Sequence, residues 1–321
     1  MDSFPAKIHS GTGRITLTLH SDKATLAELS STYPLKLLSP YIQRHIAIVY
    51  LLTYGGGLVC GNYPPYFLHK TSRTETINAQ GTTKVFKTRP GHRLASVLPK
   101  PGIESQHISS SKSSQFTSQH LHFRVHPGSS LLLLPDPVTC FRNASYQQIQ
   151  KFNVEGDGSL VLLDWITPGR ISIGEEWAFS RYYSLNEVWH DGKCIAKDVQ
   201  LLEGSEESDD PASTTRHRIP QRTLQDRLRP YGCYAMIILY GPQVQPILED
   251  LEARYAQETV FKTRTPSELI WSLSPIGALK AGGIVRVAGL EADLVKRWLK
   301  GALSGIEAHM VGRDIYRRVF P

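Results

Sequence analysis

The sequence predicts a mainly β protein with a few packing helices toward the C-terminus. Short segments in which polar and apolar residues alternate, rich in β-branched side chains, recur as far as residue 240. This period of two is typical of strands that bury one face. Turn sequences rich in glycine and acidic residues, at 155–158 and 191–192, separate several of these segments. Apolar residues spaced three or four apart, which indicate helices, appear only after residue 243.

Ten segments are predicted as strands from their alternation or from a short apolar run between turns. These segments are 14–19, 46–52, 84–86, 121–125, 131–134, 148–154, 159–165, 181–189, 194–202 and 235–240. Two helices are predicted, one by Val244, Ile247, Leu248, Leu251 and Tyr255 and one by Leu290, Leu294, Val295, Trp298 and Leu299. Both apolar stripes are narrow and flanked by charges, so we interpret them as faces that pack on a core. The C-terminal stretch 313–320 mixes arginines with aromatic residues, which suits either a protein interface or a docked terminal helix.

The chain is expected to form a single domain over residues 1–321. Two segments interrupt the strand pattern, a serine-rich one at 90–119 and an acidic one at 203–229, and we expect both to be long mobile loops. Short segments with the sequence pattern of strands resume after each of them. We therefore interpret them as insertions in one β architecture instead of as linkers between domains.

Composition argues against several classes of protein. No run of eighteen apolar residues exists and the N-terminus lacks a signal peptide pattern, so we expect a cytoplasmic protein without a membrane span. Four widely separated cysteines without a Cys-x-x-Cys pair argue against a disulfide framework or a closed zinc site. The net charge of +7 and the pI near 9.2 come from scattered basic residues, which do not indicate nucleic acid binding. The excess charge suits either an acidic partner or simple solubility.

A glycine-rich turn follows the predicted strand 46–52 and runs from Tyr54 to Asn62. Glycines there indicate positive φ or very close packing against bare backbone. The turn is not a P-loop, because Gly61 is followed by Asn62, a tyrosine and two prolines instead of a lysine and a helix. It also fails as a dinucleotide-binding turn, since Cys60 stands where the third glycine is needed. We expect no nucleotide to bind this chain.

Four separated motifs, in one order along the chain, carry a family resemblance. They are the turn 54–62, the segment 80–86, the segment 134–141, and Gly169-Arg170 followed by Gly174-Glu175. In these motifs the sequence resembles the urease accessory protein UreD family, also called UreH, and the resemblance runs from the first strand to the C-terminal region. The long serine-rich and acidic segments point to a eukaryotic, fungal member of the family.

The resemblance implies a non-catalytic maturation factor that helps to deliver nickel to apo-urease. Members of this family work with a UreF-like scaffold and a UreG-like GTPase, so the nucleotide belongs to a partner. Nickel would be in transit through this chain, by an internal route, without being permanently bound. The resemblance also implies a β-rich, helix-like stack of sheets with a few α-helices.

Residue roles are carried over from the family position by position. The structural motif positions in the N-terminal part are Gly56, Gly57, Gly61, Thr83 and Lys84. The central polar positions are Asp136, Asp164, Arg170 and Glu175. The three carboxylates among them are the predicted nickel-transit positions, and the arginine belongs to the structural motif. The family commonly has Gly-Gly-Asp where this chain has Cys60-Gly61-Asn62, so a carboxylate is missing at Asn62.

Separated carboxylates suit transit, because nickel(II) accepts oxygen ligands and a carrier needs weak, successive contacts. Asp164 interrupts the apolar run 160–165, where an unpaired charge is costly, so we expect it to have a partner. Arg170 is one candidate partner. A buried Asp164–Arg170 pair that only stabilises the fold explains Asp164 as well as a transit role does. Glu175, beside Glu176, is more easily explained as an exposed residue.

An alternative function is a thiol- or carboxylate-dependent hydrolase on a β scaffold, with Cys60 or the pair of Asp164 and Glu175 as catalytic groups. A lone cysteine is more often a small buried apolar residue, and no histidine has a diagnostic spacing from it. Strand alternation also places His120, His122 and His126 on one outward face, where they could bind a metal. Arg124 lies on the same face and would repel a cation, and the polar face of a half-buried strand needs no metal to explain it. We therefore favour the maturation factor over the enzyme.

Overall fold

The computed structural model of the chain describes residues 10–21, 23–58, 66–67, 83–87, 116–204, 222–258, 266–277 and 281–319. Most of these residues lie in strands, and the helices are concentrated toward the C-terminus. The predicted mainly β class is therefore confirmed.

Sixteen strands occur in the described part of the chain. In chain order they are β1 (Gly13–His20), β2 (Lys23–Ser31), β3 (Leu35–Gln43), β4 (Ile46–Thr53), β5 (Tyr66–Phe67), β6 (Lys84–Val85), β7 (Thr117–Val125), β8 (Ser130–Leu133), β9 (Val138–Cys140), β10 (Ser145–Val154), β11 (Ser159–Thr167), β12 (Arg181–His190), β13 (Lys193–Glu203), β14 (Cys233–Tyr240), β15 (Leu269–Ile276) and β16 (Gly282–Gly289). The α-helices are α1 (Leu224–Leu228), α2 (Gln245–Tyr255), α3 (Ala292–Ala302) and α4 (Arg313–Val319). Two 3₁₀ turns, Ile171–Ile173 and Pro242–Val244, and one π turn, Glu307–Val311, complete the described elements.

Two main sheets face each other across the interior. The first has the order β13-β12-β10-β7-β5, and the second has the order β15-β16-β14-β11-β9-β6 with β8 also on β11. From β5 to β12 the chain passes back and forth between the two sheets. β7, β10 and β12 pair in parallel in the first sheet, and β6, β9 and β11 pair in parallel in the second. The strands therefore stack as successive turns of a coil, which confirms the expected helix-like stack.

β11 runs through the centre of the molecule and is buried on both faces. Leu160 and Leu162 face the first sheet and pack on apolar side chains of β7 and β10. Val161 and Leu163 face the other way and pack against the helices. Burial on both sides explains why this strand is a continuous apolar run instead of an alternating one. Because side chains alternate along a strand, Asp164 shares the face of Leu160 and Leu162 and lies between the sheets.

α2 and α3 cover the second sheet on the side away from the first. Their buried residues recur every three or four positions, which confirms the predicted apolar stripes except at Tyr255 and Leu290, which are exposed. Leu251 of α2 and Leu299 of α3 are fully buried in the same cluster as Ile237 of β14. Ile315 and Tyr316 join this cluster, so the C-terminal stretch contains a docked helix, α4. No helix in the described ranges is long and apolar enough to span a membrane.

Six strands are not predicted by the sequence pattern, namely β2, β3, β5, β9, β15 and β16. β16 shows one physical reason. It begins with Gly282 and Gly283 and ends at Gly289, and glycine is normally depleted in strands. A Cβ at Gly283 would lie 2.8 Å from Leu248 Cδ2, and one at Gly289 would lie 2.6 Å from Val295 Cγ2. The glycines that obscure this strand in the sequence are the positions that let α2 and α3 approach it closely.

Both predicted loop segments end in regular structure. Residues 117–119 of the first lie in β7, and residues 224–228 of the second form α1. Thr223 caps α1, because its side chain and backbone exchange hydrogen bonds with Asp226. The predicted edges of the two loops are therefore wrong. The parts of these segments outside the described ranges are 90–115 and 205–221, and the single domain stays a prediction.

Candidate functional site

A buried carboxylate between the two sheets is the first candidate site. Asp164 is only 6% exposed. Four neutral side chains donate hydrogen bonds to it, namely Ser184 Oγ at 2.5 Å, Asn186 Nδ2 at 2.8 Å, Gln148 Nε2 at 3.3 Å and Tyr182 Oη at 3.4 Å. Hydrogen bonds of this kind are what a polar group needs when it is removed from water.

The parallel pairing of β10 with β12 builds this site. Gln148 stands opposite Ser184, and the alternation of each strand adds Gln150 and Asn186 to the same inner face. Tyr146 extends the network, since its hydroxyl donates to Gln148 Oε1 at 3.1 Å. The interior is therefore polar where β10 and β12, which belong to neighbouring turns of the coil, face β11.

Burial raises the pKa of Asp164, while hydrogen bonds from three of its neutral donors act in the opposite direction. Among the described residues, no arginine, lysine or histidine pairs with this carboxylate. The predicted Asp164–Arg170 pair is therefore wrong. Arg170 lies beyond the end of β11 in a turn at the surface, where it pairs with Glu175.

A small cavity of about 40 Å³ lies beside Asp164. Thr83 and Asp136 also line it, so the structure brings together three of the residues that the sequence singles out. Gln150 lines the cavity as well, and its side-chain oxygen is buried without a hydrogen-bond partner in the described part of the chain. A cavity of this size and polarity has room for a water molecule or a small cation.

The second candidate site is an ion pair in the turn after β11. Glu175 is only 7% exposed, and it accepts hydrogen bonds from Arg170 Nε at 2.8 Å and Nη2 at 2.7 Å, one on each carboxylate oxygen. The hydrogen bonds from Arg170 hold the pKa of Glu175 below its ordinary value. The expectation that Glu175 is exposed is wrong, because Arg170 supplies the charge that allows its burial. Since both oxygens are engaged, the geometry favours a structural role over metal binding.

The four motifs that carry the family resemblance meet in one place. Gly57 packs so closely that a Cβ on it would lie 2.5 Å from Phe86 Cε2 and 2.7 Å from the carbonyl oxygen of Lys84. The Phe86 and Phe141 rings meet edge to face with centroids 5.3 Å apart, and the Arg170 guanidinium lies 4.2 Å from the centroid of the Phe141 ring. The expected close packing against bare backbone is thus found at Gly57.

The other motif residues have separate placements. Gly56 has φ +73° and open space around it, so it is a turn residue that needs positive φ. Lys84 lies in β6 and is exposed. Gly61 lies outside the described residues, together with Cys60 and Asn62.

The groups considered for the hydrolase alternative do not come together within the described ranges. Asp164 and Glu175 belong to two separate networks, and only Asp164 lines the cavity. Cys140 and Cys233 are buried, and burial raises the pKa of both thiols, that of Cys233 to about 12. Neutral thiols are poor nucleophiles. In the described residues, no group of three or more histidine, cysteine, aspartate or glutamate side chains is placed to hold a metal ion.

The predicted alternation along residues 121–125 is confirmed. Leu121, Phe123 and Val125 are buried on the inner face of β7. The histidines lie on the other face and contact polar side chains. His122 Nε2 lies 2.6 Å from the side-chain amide of Asn153 in β10. His126 Nδ1 lies 2.9 Å from Glu155, in the turn after β10.

Sequence reasoning missed the neutral donors around Asp164, although one signal for them exists. In β10, Phe152 and Val154 mark the inward face, and the same alternation places Gln148 and Gln150 on it. Polar residues at inward positions predict a buried hydrogen-bond network. In β12 both faces carry large side chains, so the pattern does not show that Ser184 points inward.

Comparison with known proteins gives a consistent result over nearly the whole chain. The sequence model of the family described as UreD urease accessory protein matches residues 9–320. Urease accessory protein 4 of Cryptococcus neoformans var. grubii, a fungal relative, is 31% identical over 98% of this chain and 96% of its own length. Urease accessory protein D of Arabidopsis thaliana is 28% identical over 92% of this chain and 96% of its own length. Urease accessory protein UreD of Sorangium cellulosum is 28% identical over 96% of this chain and 84% of its own length. These matches confirm the resemblance seen in the motifs: the chain belongs to the UreD urease accessory protein family.

Proposed function

We propose that this protein acts in urease maturation as a non-catalytic factor through which nickel passes on its way to apo-urease. Membership of the UreD family supports the role in maturation. The proposed partners are a UreF-like scaffold, a UreG-like GTPase and apo-urease, and the proposed location is the cytoplasm. The packing of Gly57 against Phe86 supports a structural role for the glycine turn, which leaves the nucleotide to the GTPase.

One observation supports the nickel route most directly. Asp164 is a buried carboxylate beside a cavity that polar and apolar residues line together, and it has no cationic partner in the described residues. A carboxylate that is balanced only by neutral donors favours the arrival of a cation or a proton. Nickel(II) accepts carboxylate and carbonyl oxygens. Asp164 would supply charge to the ion, and Asp136 is a second carboxylate at the same cavity.

The donor set suits passage better than storage. The described residues that line the cavity include neither histidine nor cysteine, the side chains whose nitrogen and sulfur ligands hold transition metals most firmly. A small number of oxygen ligands allows the ion to leave again. We assign Glu175 to the framework instead, because Arg170 occupies both of its oxygens.

The test is activation of apo-urease at limiting nickel, with the UreF-like and UreG-like proteins of the same organism, with and without this protein. We expect activation to require it. Asp164→Asn should lower the activation rate about tenfold or more while the complex with the partners still forms. Asp250→Asn, which changes a half-exposed carboxylate on α2, is the matched control and should activate as the wild type does.

Two outcomes would count against the proposal in different ways. Full activation without this protein would contradict the maturation role. Full activation by Asp164→Asn at limiting nickel would contradict only the route through the cavity.

A further inference from the structure

The connection from β11 to β12 presents two isoleucines to solvent. Ile171 is 63% exposed and Ile173 is 59% exposed, and of the large apolar side chains in the described residues only Tyr33 is more exposed. Both lie in the short 3₁₀ turn Ile171–Ile173. We call the whole segment of residues 169–175 the Ile171 turn. Neighbouring aliphatic side chains that remain in water mark a candidate contact surface.

The Ile171 turn is held rigidly from behind. Gly169 has φ +116°, and a Cβ on it would lie 2.6 Å from the carbonyl oxygen of Glu175. Glu175 accepts two hydrogen bonds from the Arg170 side chain, and its own N–H donates to the Arg170 carbonyl at 3.1 Å. Gly174 closes the turn with φ +73°. A surface that is already fixed in one conformation loses little conformational entropy when it binds.

Two arginines flank the isoleucines. The Arg142 side chain is 54% exposed and the Arg170 side chain is 43% exposed, and Arg142 Nη2 donates to the carbonyl of Gly174 at 3.3 Å. In the described residues, the one carboxylate that pairs with these arginines is the buried Glu175. The solvent side of the turn is therefore apolar and positively charged. Arginine is enriched among the residues that contribute most to protein interfaces.

We propose that the Ile171 turn docks into an apolar pocket of an acidic protein partner, whose carboxylates face Arg142 and Arg170. Charge complementarity selects this occupant over a second copy of the chain, since a two-fold dimer through the turn would place arginines against arginines. The inference rests on the proposed function, because it gives a partner in urease maturation a surface to bind. It does not involve the Asp164 cavity.

The full chain with Ile171→Asp and Ile173→Asp tests the docking surface. The probes are the purified UreF-like protein, the UreG-like protein and apo-urease of the same organism, each titrated separately by calorimetry. We expect binding to one of them to weaken about tenfold or more, with an unchanged melting temperature because both isoleucines are exposed. The matched control combines Val199→Asp with Leu201→Asp, which alters two exposed apolar residues of β13 and should bind as the wild type does.

The outcomes separate this inference from the proposed function. Wild-type affinity of the Ile171 turn variant for all three probes would overturn the docking surface, and so would an equal loss in the β13 control. If the proposed function itself were at fault, apo-urease would reach full activation without the wild-type protein. That result is independent of the two variants.

Arg142→Gln tests the electrostatic part of the docking surface. Removing this charge should weaken the same interaction at low salt and make it less sensitive to salt, because one attraction that salt screens is gone. Ile171→Leu with Ile173→Leu keeps the surface apolar and should bind close to the wild type. An unchanged salt dependence in Arg142→Gln would contradict the acidic partner.

Discussion

At the scale of single residues, Asp164 and Glu175 are both more than nine-tenths buried, yet folding shifts their pKa values in opposite directions. Burial dominates for Asp164, whose partners are neutral, and raises its pKa. The hydrogen bonds from Arg170 dominate for Glu175 and lower its pKa. The sequence indicates that Asp164 is buried, because it interrupts an apolar run. The alternation of β10 indicates that Gln148 points inward, but the sequence does not show that Ser184 lies opposite it, because β10 and β12 pair only after the chain has passed through β11 of the other sheet.

Asp164→Asn should make the stability of the protein less sensitive to rising pH. A raised pKa means that the folded protein binds the proton of Asp164 more tightly than the unfolded chain does. The stability that this group contributes is complete below the unfolded pKa and is lost as the pH rises through the folded pKa. In urea denaturation from about pH 4 to about pH 9, the variant should therefore gain stability relative to the wild type as the pH rises. A difference that stays constant over this range would contradict the raised pKa.

Glu175→Gln should instead change how the stability of the protein responds to falling pH. Its lowered pKa contributes stability that is complete above the unfolded pKa and is lost as the pH falls through the folded pKa. The wild type should therefore be more stable than the variant at neutral pH, and this advantage should shrink as the pH falls. The same denaturation series measures it. An advantage that persists unchanged in acid would show that the hydrogen bonds to Arg170 do not depend on the charge of Glu175.

At the scale of elements, the segments that the sequence predicts well either alternate between a buried and a wet face or form a short continuous apolar run, as β11 does. β7 is the clear case, with Phe123 and Val125 inside and Arg124 exposed. β15 shows neither pattern, because it contains Pro275 and two serines. Its position at the edge of the second sheet makes a proline tolerable, and that position is set by tertiary pairing alone.

The turn after β4 separates two kinds of glycine. Gly56→Ala adds a methyl group in open space and costs only the positive φ, about 1 kcal/mol. Gly57→Ala brings a Cβ within 2.7 Å of the Lys84 carbonyl oxygen, which is backbone and cannot rotate away, so we expect a cost of about 3 kcal/mol. Chemical denaturation of the two variants measures the difference. Equal costs would mean that the segment around Phe86 shifts to make room.

At the scale of the whole molecule, each turn of the coil contributes one part of the candidate site. β10, β11 and β12 supply the network around Asp164, while Thr83 and Asp136, which line the cavity, come from segments next to β6 and β9. The resemblance implies this general architecture, but a local pattern cannot show which turn stacks on which. The sequence therefore identifies Thr83, Asp136 and Asp164, but it does not give their arrangement around the cavity.

The same coil determines how the chain must fold. Thr117 pairs with Tyr146, and Tyr146 pairs with Tyr182, so each parallel contact joins strands that are far apart in sequence. Each pair forms only after the intervening chain has crossed to the other sheet and returned. The chain therefore loses conformational entropy before the native contacts between the paired strands can offset that cost. Folding is therefore expected to be slow, with unpaired strand edges open to other chains in the meantime. Early capture by a chaperone or by a partner would shorten that interval.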